Sequence, residues 1–469
     1  MKKLFKLSIL LIFPLCVYGQ IHTFHSGLDI LFSQNILNEL NSQSFDTTKQ
    51  ISIEPRIFGV SSTSNKGTYN SYVLGANLSA NISKKLTIIA NYDRLDGNHN
   101  SLITDYFDSL GVYSAFSATN TRCQFNIKYK LNKFFTLDAG KGKHFIGNGY
   151  RSLFLSSEHS PYPYLKLTTE FGRVKYYNLY TTFLNPEMSN FGRKKHAALH
   201  FLEFSLTKNI NIGVFEGVLW QSKTVNGDRG FEFAYMNPII FYRPVEFSMG
   251  SNKGNALMGA NFNITFGKTT LYAKILLDDL NISRKKDSDD EYREGFFQNK
   301  YAYQLGLKRN VKDVRVFIEY NQVQPFTYGH RTILQNYSHM NQALAHPLGA
   351  NFKEIVLITD YKKESWNFRL KIISARIGLD SLNTHYGQNI FKADYDASTG
   401  GQSSYGNFNG QGVSTQINTV HAEVAYSFKW LDFFGSVYCR KKKSDLLNQT
   451  NVWYSVGIRN FPFSNFQGY

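Results

Sequence analysis

Four histidines, His144, His159, His339 and His346, lie in polar stretches of a chain that also offers serines and carboxylates, the residue types of nucleophilic and general-base chemistry. Those types become a catalytic site only where a local motif fixes their geometry. The sequence contains neither a G-x-S-x-G elbow nor an H-E-x-x-H pattern. Residues 141–162, KGKHFIGNGYRSLFLSSEHSPY, are basic and glycine-rich, a composition that can cradle phosphate, but no helix with P-loop spacing follows. The acidic and basic run Arg284–Glu294 reads as a solvated loop tip. The chain is therefore expected not to be an enzyme, with no metal site and no cofactor.

A second chemistry fits these stretches better. Aromatic faces stack on sugar rings, while guanidinium and amide groups bond hydroxyls and carboxylates. Residues 220–254 contain DRGFEFAYMNPIIFYRP and residues 321–351 contain YSHMNQALAHPLG. The candidate ligand contacts are Tyr150, Arg151, Trp220, Arg229, Arg243, Tyr337 and His346. The competing role for each is an ordered loop that folds inward and blocks a pore.

What must position these residues is a series of strands. In 122–131, Cys123, Phe125, Ile127, Tyr129 and Leu131 alternate with Arg122, Gln124, Asn126, Lys128 and Lys130. Residues 366–372 and 420–430 repeat that period of two. Eighteen such strands are expected, from near 51–59 to near 450–460, most with the roughly 9–11 residues that a tilted strand needs to cross a bilayer. Tight turns alternate with longer loops at 60–67, 95–121, 141–162, 185–196, 220–254, 279–299, 321–351, 377–415 and 442–449. An even strand number with short connections at one end and long ones at the other predicts an all-β fold, a transmembrane antiparallel barrel.

The same alternation assigns side chains to faces. Tyr92, Tyr176, Tyr320, Tyr361, Tyr426 and Trp430 are expected in the aromatic girdles at the two membrane interfaces. Cys123 and Cys439 fall on the lipid face five strands apart around the ring, too far for a disulfide. The lumen-lining cations are Arg122, Lys128, Lys130, Lys274, Arg315, Arg369 and Lys371; with Lys429 and Arg459, nine cations face Asp278, Glu319 and Glu423. Such an interior either pairs its charges across strands or favours anions.

The ends and composition agree with export. Lys2, Lys3 and Lys6 precede an apolar run from Leu7 to Val17 and a small Gly19, the pattern of a signal peptide spanning 1–19. Leu15 before Cys16 argues against a lipoprotein site. Residues 20–50 form a short periplasmic segment with helical periodicity, and 51–469 form the barrel. The 469 residues include 39 Phe and 30 Tyr at a mean hydropathy of −0.32, an aromatic load that lipid-facing strands explain. The net charge of +17 becomes +14 without the three signal lysines, and no feature of an exported barrel points to nucleic acid. The expected location is the outer membrane of a Gram-negative-type envelope.

Two stretches resemble the Wzi family of outer-membrane capsule-assembly proteins. They are Asp138-Ala-Gly-Lys-Gly-Lys-His-Phe-Ile-Gly-Asn-Gly-Tyr150 with the following Ser152-Leu-Phe-Leu-Ser156, and Tyr337 followed by His346-Pro-Leu-Gly349. The resemblance implies an eighteen-stranded plugged barrel acting as a lectin. It departs from the family at the start, where about thirty mature residues precede the first strand in place of a helical periplasmic segment. On this reading the partners are an anionic surface polysaccharide, capsular or exopolysaccharide, and membrane lipid. The alternatives are a pore or transporter for anionic solutes, and a component of a surface secretion or motility machinery.

Overall fold

The computed structural model describes residues 50–99, 121–186, 188, 193–224, 227–238, 254–279, 295–381, 384–394 and 405–460. The signal peptide, the segment 20–49, Arg243 and the Arg122 side chain lie outside the described residues. The strands are β1 (Gln50–Ser64), β2 (Gly67–Ser83), β3 (Leu86–Asn98), β4 (Thr121–Lys130), β5 (Phe135–Gly142) and β6 (Tyr162–Phe171). They continue with β7 (Val174–Leu184), β8 (Lys194–Ser205), β9 (Ile210–Gln221), β10 (Asn255–Phe266), β11 (Thr269–Asp279) and β12 (Lys300–Val311). The last six are β13 (Val314–Val323), β14 (Phe352–Lys363), β15 (Trp366–Leu379), β16 (Val413–Phe428), β17 (Leu431–Lys443) and β18 (Asn448–Arg459).

Each strand pairs antiparallel with its neighbours in sequence, and β1 pairs with β18 from Phe58↔Arg459 to Thr63↔Tyr454. The sheet is thus an 18-stranded closed meander. Closure satisfies every strand edge, which a sheet in hydrocarbon requires. No helix among the described residues is long and apolar enough to cross a membrane; the strands do the crossing.

Sequence alternation sets the two faces. Phe125, Ile127, Ile318, Ile355 and Phe368 point outward and are exposed, whereas Lys128, Glu319, Glu354 and Lys371 point inward and are buried. Periplasmic turns are short. Five of them begin on a residue at positive φ, namely Gly172, Gly267, Lys312, Glu364 and Lys429, as tight hairpins demand. Trp366, Tyr426, Trp430 and Phe433 sit exposed beside these turns as an interfacial girdle. Cys123 and Cys439 are free thiols on outward positions. The protein is an outer-membrane β-barrel.

Two connections differ from the expected loops. The stretch 60–67 is strand on both sides of a two-residue turn, because Val60, Ser62 and Thr63 continue the alternation and the Ser62 hydroxyl meets that of Ser455 at 2.8 Å. The stretch 442–449 shrinks to Ser444–Leu447 for the same reason.

Three outer connections, 143–161, 324–351 and the described parts of 380–412, fold into the lumen against one side of the wall. Leu153, Phe154, Leu155, Tyr328, Tyr337 and Leu344 pack there on inward Leu199, Phe201, Phe215 and Leu257. The interior is therefore not polar throughout: strands β7 to β10 turn apolar side chains inward because they face a packed plug rather than water.

Candidate functional site

The plug is held by carboxylates of the wall. Glu319 on β13 accepts from the backbone N–H of Tyr150 at 2.8 Å and of Arg151 at 3.0 Å. It also accepts from Tyr272 Oη at 2.5 Å and Asn321 Nδ2 at 2.9 Å. Glu354 on β14 lies 3.5 Å from the Arg151 guanidinium and 2.8 Å from His346 Nε2. A buried charge is tolerated only when hydrogen-bonded in this way.

The glycines of the 147–149 stretch have a local cause. Gly147 adopts φ +107°, and Lys274 lies against it so closely that a Cβ has no room; Gly149 is equally crowded by Glu319. Lys274 Nζ in turn sits 5.8 Å from the Phe145 ring centroid and 5.7 Å from that of Phe154. This stretch is a backbone path fitted to wall side chains.

Other ties join the three inward connections to the wall and to one another. Lys195 on β8 donates to Asn336 O at 2.7 Å and Ser338 Oγ at 2.9 Å. Lys300 on β12 pairs with Asp394. Tyr328 Oη donates to Leu153 O at 2.8 Å, and Ser156 N to Leu344 O at 2.8 Å. Asn351, at φ +58°, donates through Nδ2 to Gly378 O at 2.9 Å and Gln411 O at 3.0 Å. The plug histidines are kept neutral by burial: His159 and His330 are pushed down to about 4, and His144, His339 and His346 are lowered too.

The opposite wall is different. Inward-facing Asn91, Gln124, Asn126 and Lys130 on β3 and β4 are partly open to solvent, as are Arg369, Ser436, Arg440, Lys442, Ser455 and Arg459 on β15, β17 and β18. A ladder of charge runs round the wall from β13 through β18 to β3. Arg315 pairs with Asp360, Arg369 Nε lies 3.6 Å from Asp360 Oδ1, and Arg459 grips Glu423 at 2.6 and 3.0 Å. Arg56 grips Asp93 at 2.6 and 3.3 Å. The guanidinium side chains of Arg369 and Arg459 keep 20% and 15% exposure, while their carboxylates are buried. Solvent in the lumen therefore reaches these side chains rather than their carboxylates, with Nε and Nη2 of Arg369 themselves buried. Tyr150 presents its partly exposed ring from the plug, with Lys371 Nζ 3.5 Å from its hydroxyl.

The expected contact residues thus scatter. Arg151, Tyr337 and His346 are buried in the plug at 1%, 0% and 0% exposure. Trp220 is buried on the outer face of β9 under residues 230–236, its Nε1 donating to Gly230 O at 3.2 Å and its ring 4.8 Å from that of Tyr235. Arg229 lies in that same strap, 3.6 Å from Glu232. Among the described candidates, only Tyr150 borders the wet side. Of the lumen cations, Lys128, Lys274 and Lys371 are buried, Lys130, Arg315 and Arg369 partly exposed. Lys429 occupies a turn instead of a strand. Glu354 and Asp360, which organise the plug and the ladder, belong to no motif, and the signal that could find them is their alternation with Ile355 and Tyr361.

No protein-family model matches the chain, and no curated protein matches it. Solved structures similar to it are outer-membrane porins. OprD of Pseudomonas aeruginosa is 10% identical over 89% of this chain and 97% of its own, at a TM-score of 0.48. A BenF-like porin from Pseudomonas fluorescens Pf-5 is 10% identical over 88% and 99%, at 0.48. OccK2 (OpdF) of Pseudomonas aeruginosa, solved in complex with glucuronate, is 8% identical over 89% and 100%, at 0.46. These identities bear on barrel shape alone.

The expected family and function are not borne out. The similar structures are porins, not capsule-assembly proteins, so the Wzi resemblance, the lectin role and the surface-polysaccharide partner are withdrawn. The physical reason lies in the motifs. The Gly-Asn-Gly-Tyr-Arg and His-Pro-Leu-Gly stretches pack a plug against Glu319 and Glu354, where a surface glycan has no access. Of the expected partners, membrane lipid remains.

Proposed function

We propose that the chain is a pore for small anionic solutes and carries out no catalysis. The observation that supports this reading is the asymmetry of the lumen. The plug packs dry against β6 to β10 and against the outer ends of β11 to β16, while the inward cations Lys130, Arg369, Arg440, Lys442 and Arg459 keep solvent contact elsewhere on the wall. A passage lined by partly exposed cations inside low-dielectric walls concentrates anions and repels cations. Tyr150, whose partly exposed ring borders that space with Lys371 Nζ 3.5 Å from its hydroxyl, would contact a passing solute. Planar-bilayer recordings of the purified protein under a salt gradient test the reading. Discrete conductance steps with an anion-directed reversal potential are expected, together with faster liposome swelling in glucuronate than in a neutral sugar of equal size. A silent bilayer, or a cation-selective one, overturns it.

A further inference from the structure

Near the outer ends of β14 to β17, one row of outward-facing residues is polar and cationic. Lys353 stands opposite Arg376, Arg376 opposite Gln416, and Gln416 opposite Lys443. One outward step toward the periplasm on β17, Lys441 stands opposite Asn418. Below these rows the same outward faces become apolar through Leu357, Ile372, Val420 and Cys439, and they end in the girdle of Trp366, Tyr426 and Phe433. Charge on a lipid-facing wall is costly within the hydrocarbon and becomes favourable only where it meets anionic headgroups.

Lys353, Arg376 and Lys443 converge on a recess of ≈ 530 Å³. Arg376 Nε donates to Ser414 Oγ at 2.9 Å, which fixes its guanidinium at the rim. Two acids also border the recess, Glu354 and Asp445. Glu354 turns its carboxylate inward to Arg151 and His346, which leaves Asp445 against three cations. Outward Arg94 on β3 makes the contrast, because its charge is met by Asp96 at 2.8 Å.

We propose that this recess binds the phosphorylated headgroup of an outer-leaflet lipid, whose acyl chains lie along the apolar rows beneath. The cations supply charge-assisted and bidentate bonds to phosphate oxygens, and the adjoining apolar wall distinguishes a lipid from free phosphate. The assignment stands apart from the pore reading, since it concerns the outside of the wall.

Native mass spectrometry of the full-length protein in detergent tests it, with bisphosphorylated lipid A, the same lipid after dephosphorylation, and inorganic phosphate as probes. Lipid A retention is expected to fall at least tenfold in the combined Lys353→Gln, Arg376→Gln, Lys443→Gln protein and to be unchanged by Lys194→Gln on β8. The heat-modifiable gel shift of the barrel reports folding; if the triple variant fails to fold, Arg376→Glu alone carries the test. Equal retention by wild type and variant overturns the proposal. So does equal retention of the dephosphorylated lipid, or inorganic phosphate binding as tightly as lipid A.

Discussion

His346 Nε2 donates to Glu354 Oε2 across 2.8 Å, while His346 Nδ1 accepts the backbone N–H of Leu348 at 3.2 Å. One ring nitrogen must be bare for the second bond to exist, so His346 is neutral with its proton on Nε2. Glu354 simultaneously meets Arg151 and accepts from Asn321 Nδ2 at 3.0 Å. Two separate plug segments, 143–161 and 324–351, are thus tied to one strand residue.

Acid should loosen the plug before it harms the barrel. His159 and His330 fall from 6.5 in the unfolded chain to about 4, chiefly through burial. Between those values the unfolded plug binds more protons than the folded one, so plug stability declines as pH drops from about 6.5 toward 4 and levels off below. Each such group contributes on the order of 3 kcal/mol to that decline. Protonating His346 at Nδ1 would also break the Leu348 bond. Limited proteolysis within 143–161 should accelerate over that window while the heat-modifiable gel shift persists.

Replacing Glu319 by Ala strands the Tyr150 and Arg151 amides without acceptors in a buried setting, at a cost of about 1–3 kcal/mol for each. The expected variant keeps its barrel but passes larger and noisier currents. Single-channel conductance measures the change, and an unaltered current amplitude would count against the plug anchor.

Neutralising the wet wall should change selectivity without changing the fold. Lys371→Gln with Arg440→Gln removes two inward cations, one buried beside Tyr150 and one partly exposed. Roughly a threefold loss of anion preference per charge, about 0.7 kcal/mol, is expected for partly solvated cations. Reversal potentials under a potassium chloride gradient should move toward zero.

Trp220→Ala should free the strap at 227–238 from the outer wall. Its ring packs within 5.4 Å of Phe231 and 4.8 Å of Tyr235, and truncating a buried aromatic costs about 3–5 kcal/mol. Protease cleavage in the strap should rise sharply while conductance stays unchanged.

Local sequence pattern sets the wall. Period-two alternation needs only neighbours along the chain, so it yields all eighteen strands, their facing and the girdle at Tyr426 and Trp430. It also placed Lys371, Arg369 and Glu319 inward. It could not assign the outer connections, because loops carry no periodicity and aromatic residues beside arginine suit a sugar site and a packed plug equally. Tyr337 and His346 are buried for a reason visible only once β8, β13 and β14 curve around them. The pairing of Lys353 with Arg376 and of Gln416 with Lys443 likewise depends on strand register, which brings together charges spread over ninety residues of chain. Local pattern fixes which way a side chain points, and closure of the ring decides what it meets there.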